Sequence, residues 1–255
     1  MADRLVKWLN DRGYQPVYLP ITGLLPPDLY CSLKNHLIRL GPLANYLRKG
    51  APEPSNTPQQ LPDIQLVNTT KKSLAGAIRF LGNVFGSKGN PSLDLSFSGN
   101  GNYTFNVRGV TVEETDLLSV KKMVDFLDLN LLSPQDVEDG NLHVAYNYAY
   151  AESLEMRSDD GGEIEAKLSG GKIEDVYEVG AKADMKVKKA DELIFKRKGG
   201  VRIAFAYKCG RLIRSKGSFL LHAGDVKHFT GSMTGGYVPF PGVSVTIEER
   251  DIDTV

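Results

Sequence analysis

Cysteine is scarce in this sequence, and that scarcity excludes one large class of small secreted proteins. Only Cys31 and Cys209 occur among 255 residues. Two widely spaced thiols cannot form the dense disulfide framework of such proteins. We therefore expect a reducing, cytoplasmic environment and interpret both thiols as packed side chains rather than nucleophiles.

Long apolar runs are also missing. No stretch approaches the ~20 apolar residues that a membrane-spanning helix needs. The first residues, MADRLVKWLNDRGY, carry charges throughout, unlike a secretory signal peptide. We therefore expect neither a cleaved leader nor a spanning helix.

A net charge is lacking as well, because 31 acidic residues balance 31 basic ones. Such a chain has no overall field that attracts nucleic acid, so we expect no nucleic-acid partner. Any electrostatic targeting has to come from local clusters of charge.

Motifs of catalysis are absent from the sequence too. It contains no Gly-x-x-x-x-Gly-Lys-Ser/Thr phosphate loop and no recognisable nucleophile motif. His222, Asp225 and His228 form an H-x-x-D-x-x-H pattern, but three such residues in a glycine-containing loop often arise by chance. We expect no catalytic residue, cofactor or metal, and hence no enzyme.

Alternation of apolar and polar residues is the dominant pattern in the sequence. SLDLSF and YTFNV flank GNGN and predict a hairpin over 93–107, and DIQLVN, ELIFKR and VRIAFAYKCG predict further strands. Helices are predicted over 2–10 and 116–129, with a weak one over 164–180, while proline-rich 49–62 predicts a surface loop. The pattern predicts an α+β fold, with a twisted, mostly antiparallel sheet and surrounding helices.

The most regular alternation is LHVAYNYAYA, which predicts a strand. It places apolar and aromatic side chains on one face: Leu142, Val144, Tyr146, Tyr148 and Tyr150. That face suits one side of a half-buried sheet. It equally suits contact with lipid, because a bilayer-spanning strand needs only ~9–11 residues. Periodicity does not separate these two environments.

Basic residues cluster in two places. One cluster flanks a helical pattern over 71–89 that is rich in glycine and β-branched residues and hence a poor helix by propensity. The other lies in the run AKADMKVKKADELIFKRKG. Each is either a solvated face or a site for anionic lipid, at about 1 kcal/mol per basic residue. The predicted lipid-binding residues are Lys71, Lys72, Arg79, Lys88, Lys186, Lys188 and Lys189.

The order of these pieces resembles the gasdermin family, most closely its short bacterial members. WLNDRGYQPVYLP, GLLPPDLY and LGPLANYL resemble the opening of bacterial gasdermins. SLAGAIRFLGNVFG with PSLDLSF resembles their first helix-to-strand unit. HVAYNYAYAESLEMRSDDGGEIEAKL through ELIFKRKGGVRIAFAYKCGRL resembles the second unit and the strand after it.

The resemblance implies a pore-forming protein of regulated cell death or antiphage defence. An inactive cytoplasmic monomer would lose a C-terminal segment to an activating protease, and the body would then oligomerise in the inner or plasma membrane. Two strand–helix–strand units, over about 63–98 and 140–198, would refold into amphipathic hairpins. Beside the five residues of the LHVAYNYAYA face, the implied membrane-inserting residues are Leu93, Leu95 and Phe97. The low helix propensity of residues 71–89 is explained if this segment must later become strand.

The resemblance also divides the chain into a pore-forming domain (1–235) and a short, autoinhibitory tail (236–255). Apolar residues of the tail are expected to cover sheet or interface surface: Val238, Phe240, Val243, Val245 and Ile247. The simpler interpretation is a terminal strand that completes the fold. Bacterial gasdermins commonly carry a lipidated cysteine near the N-terminus, which this sequence lacks.

Two alternatives stay open at this point. The chain fits a soluble lipid- or protein-binding α+β module that never inserts. It also fits a gasdermin whose control comes from a paired, related chain rather than from its tail.

Overall fold

Helices are short in the part of the chain that this computed structural model describes. That part comprises residues 4–16, 24–33, 36–69, 92–97, 102–132, 141–159, 161–169, 177–180, 188–190, 192–197, 202–215, 218–223 and 245–247. Helix α1 spans Arg4–Asn10 and α2 spans Leu117–Val124. Short 3-10 helices occupy Leu43–Tyr46 and Leu129–Leu131. Both helices lie where periodicity predicts them, whereas the helical pattern over 71–89 falls outside the described residues.

Strands make up most of the remaining described chain. They are β1 (Gln15–Pro16), β2 (Asp28–Leu33), β3 (His36–Pro42), β4 (Asn56–Gln60), β5 (Ile64–Thr69), β6 (Ser92–Phe97), β7 (Tyr103–Arg108), β8 (Thr111–Thr115), β9 (Leu142–Ala151), β10 (Ser153–Ser158), β11 (Ile164–Ser169), β12 (Tyr177–Gly180), β13 (Lys188–Ala190), β14 (Glu192–Arg197), β15 (Ile203–Ser215), β16 (Ser218–Ala223) and β17 (Val245–Ile247).

These strands form three sheets within the described ranges. The large sheet contains β1–β4, β8, β9, β15 and β16; the middle sheet has the order β12-β14-β10-β7-β5-β17; the small sheet has the order β13-β11-β6. Every pairing is antiparallel apart from β17 with β5, which is parallel. The fold is therefore α+β with a mostly antiparallel sheet arrangement, as the sequence predicts.

Three chain segments run side by side through all three sheets. They are 92–115 (β6, β7, β8), 142–169 (β9, β10, β11) and 188–215 (β13, β14, β15). The middle segment pairs with both others in every sheet. We call this three-segment arrangement the ribbon, since the sheets are successive parts of it separated by bends.

Two clusters of buried side chains pack against the large sheet. The helix-side cluster lies under α2 and includes Leu29, Leu43, Val120, Met123, Leu142, Val144 and Leu212. The tyrosine cluster comprises Leu24, Tyr30, Ala145, Tyr148, Tyr150, Tyr207 and Cys209. Both predicted packed thiols, Cys31 and Cys209, are confirmed as buried.

Three predictions of local structure are wrong. Residues 49–62 contain strand β4, whose side chains are all exposed, so its backbone pairing with β8 gives no apolar signal in the sequence. Both described ends of the weak helix predicted over 164–180 are strands, β11 and β12, while residues 170–176 fall outside the described residues. The hairpin over 93–107 does not form, because β6 pairs with β11 while β7 pairs with β5 and β10. Alternation identifies a strand but not its partner.

Candidate functional site

Strand β9 carries the five residues predicted to share one face, which we call the stripe: Leu142, Val144, Tyr146, Tyr148 and Tyr150. In the structure they do not share one face. Lys208 pairs with Asn147, and the next pair is Cys209 with Ala145, so Tyr146 is an extra residue on β9. Such a bulge reverses the alternation beyond it. Leu142 and Val144 accordingly pack in the helix-side cluster, and Tyr148 and Tyr150 pack in the tyrosine cluster.

Both ends of β9 are buried in this state of the molecule. The exposed fractions are 1% for Leu142, 0% for Val144 and Tyr148, and 4% for Tyr150. The opposite positions are buried as well, among them Ala149 and Asn147. Strand β9 is thus the interior of the fold, and any contact of its side chains with lipid requires a change of conformation.

A buried polar network holds β9 against β2 and β3. Asp28 is fully buried and receives hydrogen bonds from both Nε and Nη2 of Arg39, each at 2.8 Å. The Tyr148 hydroxyl donates to Asp28 Oδ2 at 2.8 Å, and the hydroxyls of Tyr30 and Tyr148 lie 2.8 Å apart. Burial raises the pKa of Tyr30, so this phenol stays protonated. A buried carboxylate with three donors is well satisfied.

Asp28, Tyr30 and Arg39 were not among the residues predicted from the sequence. Their spacing in the chain gives no motif, since the hairpin of β2 and β3 and its pairing with β9 bring them together. A mixed Tyr and Asp pattern in GLLPPDLY was the available signal, but it did not indicate a partner for the carboxylate.

A second ion pair lies on the same sheet next to the stripe. Arg202 pairs with Glu113, donates to Thr111 Oγ1 at 2.8 Å and places its guanidinium 4.7 Å from the centre of the Tyr150 ring. Tyr150 in turn donates its hydroxyl to the Leu24 carbonyl at 2.6 Å. These contacts join β8, β9 and the start of β15 around one aromatic ring.

The other predicted inserting residues lie in the small sheet. Strand β6 places Leu93, Leu95 and Phe97 opposite Leu168, Ala166 and Ile164 of β11. On the other edge of β11, Lys188 and Lys189 of β13 are opposite Ala166 and Glu165. The structure therefore brings Lys188 and Lys189 of the second basic cluster to the sheet that carries Leu93, Leu95 and Phe97.

The remaining predicted lipid-binding residues, Lys71, Lys72, Arg79, Lys88 and Lys186, lie outside the described residues. The same is true of Val238, Phe240 and Val243 in the tail. Their roles stay predictions.

Part of the tail lies on the edge of the middle sheet. Strand β17 runs parallel to β5, with Val245 opposite Ile64 and Ile247 opposite Leu66. Ile64 and Leu66 are almost completely buried. Without β17, β5 would be the edge strand of the middle sheet and would present unpaired N–H and C=O groups. Strand β17 pairs with that edge.

Within the described ranges, no helix has both the length and the apolar character to cross a bilayer. In the same ranges, no group of three His, Cys, Asp or Glu side chains is placed to bind a metal. Of the H-x-x-D-x-x-H pattern, His222 lies in β16 and the other two residues fall outside the described residues. The candidate site consists of strands β6, β9 and β13 of the ribbon and the tail strand β17.

The fold and these strands define an α+β protein built on a long antiparallel ribbon with a tail strand at its edge. The model of the Bacterial Gasdermin Family matches residues 17–218. A gasdermin of Piscinibacter sakaiensis, bGSDM, is 34% identical over 228 residues, which cover 88% of this chain and 85% of that protein. The chain belongs to the bacterial gasdermin family, which confirms the resemblance seen in the sequence.

Two solved structures were also similar. A bacterial gasdermin from Bradyrhizobium tropiciagri has a TM-score of 0.46 and 10% identity, covering 94% of this chain and 95% of that one. The membrane pore of Gasdermin A3 has a TM-score of 0.40 and 15% identity, covering 93% and 95%. Family membership supports a pore-forming function of the gasdermin type in general terms.

Proposed function

We propose that this chain is a gasdermin that oligomerises in an anionic membrane and permeabilises it once its C-terminal tail has been released, in regulated cell death or antiphage defence. Family membership is the observation that carries the proposal. The ribbon supplies the strands: its segments carry the alternating apolar residues and are already paired with one another. The cytoplasm would hold the inactive form, and an activating protease would act on the tail.

The burial of the stripe supports an inactive state that needs triggering. Leu142, Val144, Tyr148 and Tyr150 are each at most 4% exposed, so they offer lipid almost no surface. Strand β17 on the edge of β5 supports the tail as the element that is released, because an edge strand detaches without disturbing the strands on its far side.

Dye release from liposomes tests the proposal. A site for a specific protease is inserted within residues 230–236 of the full chain, a stretch of small residues, TGSMTGG, that suits access by a protease. We expect cleaved protein to release dye from vesicles containing phosphatidylglycerol and uncleaved protein to release much less. A scrambled protease site is the matched control.

Failure of both cleaved and uncleaved protein to leak or to oligomerise would favour the soluble binding module. Leakage that requires addition of a related chain, with no effect of cleavage, would favour control by a partner.

The basic clusters are tested by charge reversal. Replacing Lys71, Lys72, Lys188 and Lys189 with glutamate is expected to weaken binding to anionic vesicles, and the difference should shrink with added salt, since the Debye length is about 8 Å at physiological ionic strength. Reversal of Lys121 and Lys122, which are exposed on α2, is the matched control. Equal vesicle binding by all these variants would identify the predicted cluster as merely solvated.

A further inference from the structure

Two of the three segments of the ribbon, 92–115 and 142–169, keep one register wherever their described residues pair, in the small, middle and large sheets. The third segment does not, because its pairing with 142–169 shifts by five residues between the middle sheet and the other two. The numbers of the facing residues in the first two segments add to the same value throughout, as in Phe97–Ile164, Asn102–Asp159, Arg108–Ser153 and Thr111–Tyr150. The described residues of these two segments are thus in the same antiparallel register on both sides of each bend.

One of these bends separates the middle sheet from the large sheet. It lies at Gly109–Val110 on one segment and at Ala151–Glu152 on the other. The Glu152 amide donates to the Arg108 carbonyl at 2.9 Å, so a backbone hydrogen bond joins the two segments at the bend. The Val110 carbonyl instead accepts from the Leu61 amide, in the connection between β4 and β5, at 2.8 Å.

Gly109 adopts a conformation that the bend requires. Its φ of +59° lies in the left-handed region, and a Cβ at this position would come 2.5 Å from the Glu152 side chain. A glycine moves between this conformation and an extended one with little cost, whereas other residues favour the extended one. Straightening the ribbon requires this change at Gly109.

Three charged side chains fasten the same bend. Arg108 donates through Nε to Glu155 Oε2 at 3.0 Å and through Nη1 to Asp63 Oδ2 at 3.1 Å. The other oxygen of Asp63 accepts a hydrogen bond from the Gly109 amide at 2.8 Å. That amide is thus satisfied by a side chain at the bend, and the carboxylate ties the connection between β4 and β5 to the turn between β7 and β8.

We propose that Gly109–Val110 with Ala151–Glu152 is a hinge and that Asp63, Arg108 and Glu155 form the latch that keeps it bent. Segments 92–115 and 142–169 straighten there without changing their register with each other. This inference deepens the proposed function, since it describes how paired strands of the monomer become longer strands in the membrane. No ladder between segments 92–115 and 142–169 has to break, so the transition changes the backbone angles of a few residues.

The latch is tested on the full, uncleaved chain by amide hydrogen exchange. Asp63→Ala removes both the carboxylate of the latch and the acceptor for Gly109, and we expect exchange over 109–110 and 151–152 to become about tenfold faster. Exchange over 142–147 should not change. Asp63→Asn retains an acceptor and should give a smaller effect. Asp125→Ala, which removes an exposed carboxylate distant in sequence from the hinge, is the matched control.

Unchanged exchange would show that Asp63 does not hold the bend, and exchange that rises equally across the large sheet would show that Asp63 acts on overall stability. Either result would overturn the latch. This measurement does not depend on membranes, so it judges the hinge even if the protein forms no pore.

The retained register is tested by a covalent link across the ribbon. Thr104 and Arg157 face each other on β7 and β10, and cysteines at both positions are joined by a disulfide or a short bis-maleimide. We expect the linked protein, cleaved at the inserted site, to leak dye as fast as the unlinked one. Loss of leakage that a reductant restores from the disulfide form would overturn the retained register. Absence of leakage from the unmodified cleaved protein as well would overturn the proposed function instead.

Discussion

Asp28 illustrates how a single residue fixes the position of the long strand β9. Its carboxylate is completely buried, yet it accepts hydrogen bonds from Arg39 and Tyr148, which lie on two other strands. A buried charge without its partner is strongly unfavourable, whereas an apolar replacement of the whole pair is often tolerated. Loss of one partner therefore costs more than the intact pair contributes to stability.

Truncation of the arginine should reveal this asymmetry. Arg39→Met leaves Asp28 buried with only the tyrosine donor, and we expect the free energy of unfolding to fall by about 3 kcal/mol, at the lower end of the usual range because Arg39 is partly exposed. The double change Arg39→Met with Asp28→Leu should recover part of that loss. Urea denaturation of the single and double variants measures both, and strictly additive losses would contradict the coupling.

Tyr30 gives the molecule a sensitivity to alkali. Burial raises the pKa of Tyr30 in the folded state above its ordinary value of 10.0. The unfolded chain therefore loses this proton first, and the free energy of unfolding should decrease as the pH rises above about 10.

Tyr30→Phe removes that titration. The variant should be less stable at neutral pH by about 1 kcal/mol, because the hydroxyl contact with Tyr148 is lost. Its stability should nevertheless fall less steeply than that of the wild type above pH 10. Denaturation at a series of pH values gives the two slopes, and identical slopes would show that Tyr30 does not contribute.

At the scale of elements, α2 is a short helix whose position depends on its cap and on its buried face. Asp116 accepts a hydrogen bond from the Ser119 amide at 2.9 Å, and Val120 and Met123 are buried against the large sheet. Eight residues are too few for a helix to be stable in isolation, so packing supplies most of the stability.

Asp116→Ala should destabilise the protein by about 1 kcal/mol, because the Ser119 amide loses its acceptor. Asp116→Asn retains a capping oxygen and should stay close to the wild type. Thermal denaturation of the two variants provides the comparison. An equal loss from alanine and asparagine would mean that the charge at the helix start, rather than the hydrogen bond, is what stabilises α2.

At the scale of the whole molecule, the tail strand β17 connects the end of the chain to a sheet that begins near residue 64. It pairs with β5 through three successive residues, with Thr246 opposite Gln65. In a strand, successive N–H groups alternate between its two sides. Two adjacent prolines must therefore remove at least one amide that faces β5.

We expect Thr246→Pro combined with Ile247→Pro to loosen the tail and to speed its removal by a nonspecific protease several-fold, since pairing no longer protects the backbone. If the tail is the lock, the uncleaved double variant should also release liposome dye. Prolines at Ile252 and Thr254, which follow β17 in the sequence, are the matched control. Unchanged proteolysis would show that pairing with β5 does not hold the tail.

The sequence by itself determined the fold class, the position of α1 and α2 and most strands of the ribbon. Periodicity is a local property, because a helix or a half-buried strand shows its characteristic spacing of apolar residues within a short stretch of sequence. The order of the pieces along the chain was likewise sufficient to indicate the gasdermin family.

Only the tertiary structure decided which strands pair, and this is where sequence reasoning was wrong. SLDLSF and YTFNV alternate as a hairpin would, yet β6 and β7 belong to different sheets because each continues the pairing of segment 142–169. The stripe on β9 was divided by one extra residue, Tyr146, which the alternation in the sequence conceals. Strand partners, bulges and the Asp28–Arg39 pair depend on contacts between distant residues, and such contacts leave no period in the chain.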